Sequence, residues 1–95
     1  MKFEWDNNKE QINIKKHGID FSTAAFVFDD IFHVEIFDEV HSEYEDRFIA
    51  IGMVDDIAII IAVVYTERGE IIRIISARKA TKREKEVYYD SSKGY

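Results

Sequence analysis

Residues 57–65 read Ile-Ala-Ile-Ile-Ile-Ala-Val-Val-Tyr, an unbroken apolar run rich in β-branched side chains. It is far too short to span a bilayer, which takes about 20 apolar residues. Stiff β-branched residues disfavour a helix. The run therefore predicts a central strand buried on both faces, and the rest of the chain must supply a cover for each. Glu67-Arg68-Gly69-Glu70 follows as a hairpin turn in which Gly69 tolerates positive φ, and residues 71–77 form the partner strand.

The remaining elements follow from caps and periodicity. Phe3 and Trp5 alternate with polar neighbours as in a short strand. Asp6 caps a helix over residues 7–17, which Lys15, Lys16 and His17 close against its carbonyl end and Gly18 stops. Asp20 caps a second helix over residues 21–28, with Phe21, Ala24, Ala25 and Phe28 at core spacing. After Asp29-Asp30 the period becomes that of strands, over residues 31–37 and 47–53, with a turn at Asp55-Asp56. Thr81 and Glu84 fit a capping box for a last helix reaching about Tyr89, and residues 91–94 read as a frayed tail. Helices, then a meander of strands, then a helix predict an α+β domain. The expected sheet is four-stranded and antiparallel, with helices mainly on one face and the other partly open. Residues 1–90 read as one domain and 91–95 as a flexible tail.

At 95 residues there is room for one domain. No cysteine is present, which excludes disulfides, thiolate metal sites and a cysteine nucleophile, and is compatible with a reducing cytoplasm. Residues 1–6 are polar and aromatic, unlike a signal peptide. The net charge of −6 argues against nucleic-acid binding by overall charge. That charge is unevenly spread. Residues 1–56 hold 14 acids and 5 bases, whereas residues 57–95 hold 5 acids and 8 bases. The acidic front suits a basic partner, and the basic back suits an anion.

Three stretches carry candidate chemistry. At the junction of the last strand and helix, Arg78, Lys79, Lys82 and Arg83 gather where a helix start prefers anions, as in a phosphate site. Glu84 and Glu86 offset part of that charge, and a solvated helix face is the simpler alternative. In residues 41–47, His41, Glu45 and Arg47 share a face if the segment is extended, and supply parts for acid–base work at a phosphodiester. A surface Glu–Arg pair explains the same spacing. Arg68 projects from the hairpin turn. Arg73 interrupts an apolar strand, so it needs a carboxylate, a ligand or solvent. No metal-binding spacing or glycine-rich phosphate loop is present, and neither metal nor cofactor is expected. Phe3, Phe21, Phe26, Phe28, Phe32, Phe37 and Phe48 are assigned to the core, and Tyr88 and Tyr89 are left for base stacking.

These blocks, taken in order, resemble the BrnT toxins. The match comprises Phe3-Glu4-Trp5-Asp6 with Lys9 and Asn13, then Lys16-His17-Gly18-Ile19-Asp20-Phe21, then His41-Ser42-x-x-Glu45-x-Arg47. It continues through Tyr65-Thr66-Glu67-Arg68-Gly69, Arg73-Ile74-Ile75-Ser76-Ala77-Arg78-Lys79-Ala80, Lys82-Arg83-Glu84 and Tyr88-Tyr89. One departure is Asp30-Ile31, where the family often has Asp-Pro.

The resemblance implies a RelE-like fold and the toxin of a type II toxin–antitoxin pair. It implies RNA cleavage that halts translation in the cytoplasm. Its partner would be a BrnA-like ribbon-helix-helix antitoxin, through which alone operator DNA is bound, in a heterotetramer of two toxins and two antitoxins. On that footing His41, Glu45, Arg47, Arg73 and Arg78 are the expected catalytic residues of a metal-independent endoribonuclease. Arg68, Lys79, Lys82, Arg83 and Tyr88 are the expected RNA contacts. The competing reading is a non-catalytic interaction module of a repressor complex.

Overall fold

A computed structural model of the chain describes residues 1–55 and 57–92. The apolar run lies in β4 (Ile59–Arg68), the middle strand of a five-stranded sheet. β4 pairs antiparallel with β3 (Phe48–Val54) and with β5 (Ile71–Lys79), and β2 (Val34–Phe37) lies antiparallel outside β3. The strand starts two residues later than expected because Ala58 adopts φ +51° and the Ile57 and Ala58 amides bond back to the Val54 carbonyl. Asp56, in the turn expected there, lies outside the described residues. Gly69, at φ +63°, opens the two-residue hairpin turn between β4 and β5.

The expected four-stranded antiparallel sheet is corrected to a five-stranded mixed one. Residues Lys2–Trp5 form β1, which runs parallel to β5, pairing Lys2 with Ile71 and Trp5 with Ile74. The open edge of β5 needs a partner, and Phe3 and Trp5 anchor β1 there by packing on Phe28 and Phe21. Beyond Trp5 the edge is finished by a side chain. In α1 (Asn7–His17), the buried Asn13 amide donates to the carbonyl of Ala77 and accepts from its N–H, at 2.9 and 3.0 Å. The same amide donates to the Ile19 carbonyl, so one side chain ties α1, the turn after it and β5 together.

Each face of β4 has its own cover. Ile61, Val63 and Tyr65 pack with Phe21, Ala24 and Val27, from α2 (Phe21–Ala25) and the 3-10 turn that follows (Phe26–Asp29). Ile60 and Ala62 pack with Ile51, Ala80 and Tyr88, the last from α3 (Lys82–Ser92). Tightening to a 3-10 turn directs Val27 inward and leaves Phe26 about half exposed. Phe32, in the following turn, and Phe37, on the edge strand β2, are also exposed rather than core residues. The caps form as read. Asp6 accepts from the Asn8 and Lys9 amides, Asp20 from that of Thr23, and Gly18 closes α1 at φ +72°. α3 runs on through Ser91 and Ser92, which the sequence assigned to the tail; residues 93–95 lie outside the described residues.

A bulge in β5 sets which side chains reach each face. Val64 pairs with Ser76 but Tyr65 pairs with Ile74, so Ile75 is an extra residue in β5. Ile72, Ile74 and Ala77 therefore all reach the α2 side. Arg78, which strict alternation would turn into that core with Ile72 and Ile74, lies instead on the opposite face.

Candidate active site

The part of that opposite face which α3 leaves uncovered is a groove of about 680 Å³, with Ile49, Val64, Ile75 and Ser76 among its floor residues. α1, beside β5, forms one wall through Lys9, Ile12, Asn13, Lys16 and His17, a single helical stripe. The other wall, beside β3, is the segment 38–47. Two strand spacings, roughly 10 Å, separate β3 from β5 across the floor between the walls.

Segment 38–47 is closed on itself. The Asp38 amide donates to the Arg47 carbonyl at 2.8 Å, the Ser42 hydroxyl donates to the Asp38 carbonyl at 2.6 Å, and the Arg47 amide donates to that hydroxyl at 2.9 Å. Thr66, buried in β4, donates its hydroxyl to the Asp46 carbonyl and moors the loop to the sheet. This closure brings Asp38, His41 and Arg47 to the groove. The Asp38 carboxylate, only 10% exposed, lies 2.9 Å from Nδ1 of His41, whose ring is 64% exposed. A carboxylate on Nδ1 fixes the ring and leaves Nε2 as its exchangeable position.

Arg47 is the unusual member of the site. Its Nε is buried without a hydrogen-bond partner, and Glu45 at 3.9 Å is too far to accept one. Buried polar groups are nearly always bonded, so this nitrogen is an exception among the described side chains. Arg78 is differently placed. It forms a two-pronged pair with Glu84 at 2.6 and 3.0 Å. That hydrogen bonding raises the guanidinium further above its usual range, against the opposing effect of burial, and the nearby Asp38 charge adds to the rise.

The sequence-predicted residues thus divide. His41, Arg47 and Arg78 line the groove together. Glu45 bridges Arg47 and Arg68 at 3.9 and 3.7 Å and is not among the groove residues. Arg73 is paired with Glu4 of β1, directly opposite it in register, which answers why a strand so apolar carries an arginine. Lys79 lines a separate small pocket with Lys85 and Tyr89. Lys82 and Arg83 are exposed on the first turn of α3 and make no ion pair among the described residues. The exposure expected of Tyr88 is corrected: it is 6% exposed, inside the second core, and its hydroxyl donates to Asp30. The helix start carries the capping box that the sequence predicts. Thr81 and Glu84 exchange the two bonds of a capping box, which places the chain's own Glu84 carboxylate at this N-terminus. Lys9, Lys16, His17, Asp38 and Ser76 were missed. Their available signals were the 9/12/13/16/17 stripe and the three-residue step from Asp38 to His41.

Burial raises the Glu84 carboxyl, but the Arg78 and Thr81 bonds outweigh it and the net shift is downward. Asp30 is likewise lowered, its burial outweighed by bonds from the Met53 amide, the Tyr88 hydroxyl and the Phe32 amide. A depressed carboxyl stabilises the fold above its unfolded value and loses that contribution as pH falls through the folded one. Stability is therefore expected to drop as pH falls below the ordinary values of 4.5 and 3.8 for the two groups. Glu84→Gln should cost about 1–2 kcal/mol at pH 7 and make the acid decline shallower, as read from urea unfolding at a series of pH values.

A family model described as a ribonuclease toxin, BrnT, of type II toxin–antitoxin systems matches residues 5–84. The chain belongs to the BrnT family. The matched span of this BrnT toxin ends at Glu84, the partner of Arg78, and includes every groove residue named above. A comparison with curated proteins gives no match. Membership makes the chain a ribonuclease toxin with RNA as substrate and an antitoxin as partner. No helix of the BrnT chain, among the described residues, is long and apolar enough to cross a membrane.

Proposed function

We propose that this BrnT toxin is a metal-independent endoribonuclease that cuts RNA in the groove between α1 and segment 38–47. The observation that carries the assignment is the groove itself, which puts Arg47 in a wall shared with His41 and faced by Lys9 and Lys16. RNA supplies its own nucleophile, the 2′-hydroxyl, so the protein must orient the strand, move protons and stabilise the charge that builds on phosphorus. Arg47 meets that charge, since a guanidinium can bridge two phosphate oxygens. Arg78, half neutralised by Glu84, shapes the floor and contributes a second cation. His41, steadied by Asp38, takes the 2′-hydroxyl proton. Lys9 and Lys16 hold flanking phosphates, and Lys79, Lys82 and Arg83 extend the basic surface beyond the groove. Arg73, Arg68 and Glu45 act through ion pairs that position strands and loop.

On this reading the functional unit is the single domain of residues 1–90, a RelE-like fold with an added parallel edge strand, and it halts translation in the cytoplasm. A ribbon-helix-helix antitoxin neutralises it in a two-plus-two complex and alone contacts operator DNA. A basic protein partner would take a surface away from the groove. Phe26, Ile31 and Phe32 are exposed around a pocket of about 540 Å³ whose lining includes Asp29 and Asp55.

The test is cleavage of varied RNAs by the purified toxin in EDTA. Products ending in a 2′,3′-cyclic phosphate and a 5′-hydroxyl are expected. Activity lost in EDTA and restored by magnesium would overturn the mechanism. No cleavage of any RNA, with the antitoxin still tightly bound, would favour an interaction module.

A further inference from the structure

We propose that His17 is a second proton-transfer group of the groove, the general acid that protonates the leaving 5′-oxygen. The inference rests on the ribonuclease reading above and assigns a role to a residue outside every catalytic set read from the sequence. His17 ends α1, directly after Lys16, on the stripe that forms the groove wall beside β5. His41 stands on the wall beside β3. A phosphodiester lying along the floor between them presents one wall with its 2′-hydroxyl and the other with its 5′-oxygen. In-line displacement needs the base and the acid on opposite sides of phosphorus, and the two walls of one groove supply opposite sides.

The hydrogen bonding assigns the roles. The Asp38 carboxylate at Nδ1 holds the His41 ring and leaves Nε2 to accept a proton, the arrangement of a triad's general base, so His41 is the base. His17 is then the donor. The 2′-oxygen loses its proton to His41 and bonds to phosphorus, and the bond from phosphorus to the 5′-oxygen breaks. The 5′-oxygen leaves with a proton from His17. The products are a 2′,3′-cyclic phosphate and a 5′-hydroxyl, and the two histidines regain their starting states by exchange with water. The other charged groups facing the pair are Lys9 and Lys16 of α1, Asp38 and Arg47 of the loop wall, and Arg78 of the floor.

The experiment compares single-turnover cleavage of an RNA oligonucleotide with cleavage of the same oligonucleotide carrying sulfur in place of the bridging 5′-oxygen. A thiolate leaves without being protonated, so the sulfur substrate bypasses a general acid. His17→Ala is expected to slow cleavage of ordinary RNA by about 10²-fold and to come within several-fold of the parent on the sulfur substrate. His41→Ala should stay slow on both. The parent should show a bell-shaped pH profile, from which His17→Ala removes the alkaline limb and His41→Ala the acidic one. His17→Gln, which keeps a polar side chain at the end of α1, serves as the second variant, and melting curves establish that both variants are folded. If the His17 variants cleave ordinary RNA at the parent rate, or remain slow on the sulfur substrate, the acid assignment fails while the groove stands. If His41→Ala and Arg47→Ala are also fully active, the groove reading itself fails.

Discussion

Arg47→Ala is expected to lower the rate of RNA cleavage by about 10²–10³-fold, the range seen when one preorganised donor to a developing oxyanion is removed. Growth arrest on expression in a bacterial host should be lost with it. The same substitution should leave the melting temperature nearly unchanged. The Arg47 side chain makes no hydrogen bond through its buried Nε, and its Glu45 contact is long and partly exposed, worth about 0–1 kcal/mol. The backbone amide that closes the loop on Ser42 survives the change. Removing an unsatisfied buried donor can even be mildly stabilising. Arg47→Lys should recover only part of the rate, because an ammonium cannot bridge two phosphate oxygens in the plane of a guanidinium. An alanine variant that cleaves at the parent rate would remove Arg47 from the site.

Asn13→Asp should be the most damaging single-atom change in the fold. The amide nitrogen of Asn13 donates to two carbonyls, Ile19 and Ala77, and its oxygen accepts from the Ala77 amide. A carboxylate keeps the acceptor but faces both carbonyls with negative charge inside a buried site. The expected loss is at least about 3 kcal/mol. For a domain of this size that is a fall in melting temperature of roughly 12–24 °C, read by circular dichroism. The deficit should narrow as pH falls, because a protonated carboxyl at position 13 can donate again. Activity should drop with stability, since Asn13 sets α1 against β5 and α1 carries Lys9, Lys16 and His17. A variant melting within a few degrees of the parent would show that β5 does not depend on this clamp.

Local chemistry made much of the fold legible. The caps at Asp6, Asp20 and Thr81, the stop at Gly18 and the turn at Gly69 are short-range hydrogen-bond and φ requirements, and each is satisfied where the residue types stand. The apolar run became the central strand because no edge position could bury both its faces. Pairing of β1 was not legible. Alternation at Phe3 and Trp5 marks a strand but does not say which edge, distant in sequence, it will complete. At the helix start the capping box of Thr81 and Glu84 was legible, but the pairing of Glu84 with Arg78 was not, because it joins the helix to the preceding strand. Tyr88 was misread because a helix next to a polar tail shows no sign of the core it enters from the other side.

For the site, composition and spacing were enough to nominate His41, Arg47 and Arg78, because cations and an imidazole are the parts that phosphodiester chemistry requires. Which of them meet was decided in three dimensions. One extra residue at Ile75 reverses the facing of everything after it, and so brings Arg78 out of the core and onto the groove floor. Sheet order sets α1 and segment 38–47 on opposite sides of β4, which makes neighbours of His17 and His41 across a floor neither segment contains. Partner choice was tertiary as well. Glu4 took Arg73, Glu84 took Arg78, and nothing among the described residues supplies an acceptor to Nε of Arg47. The sequence by itself determined the elements and the supply of charge, since both depend on neighbours along the chain. Only the packed sheet decided which charges pair with each other and which line the groove, since that depends on distances between residues far apart in the chain.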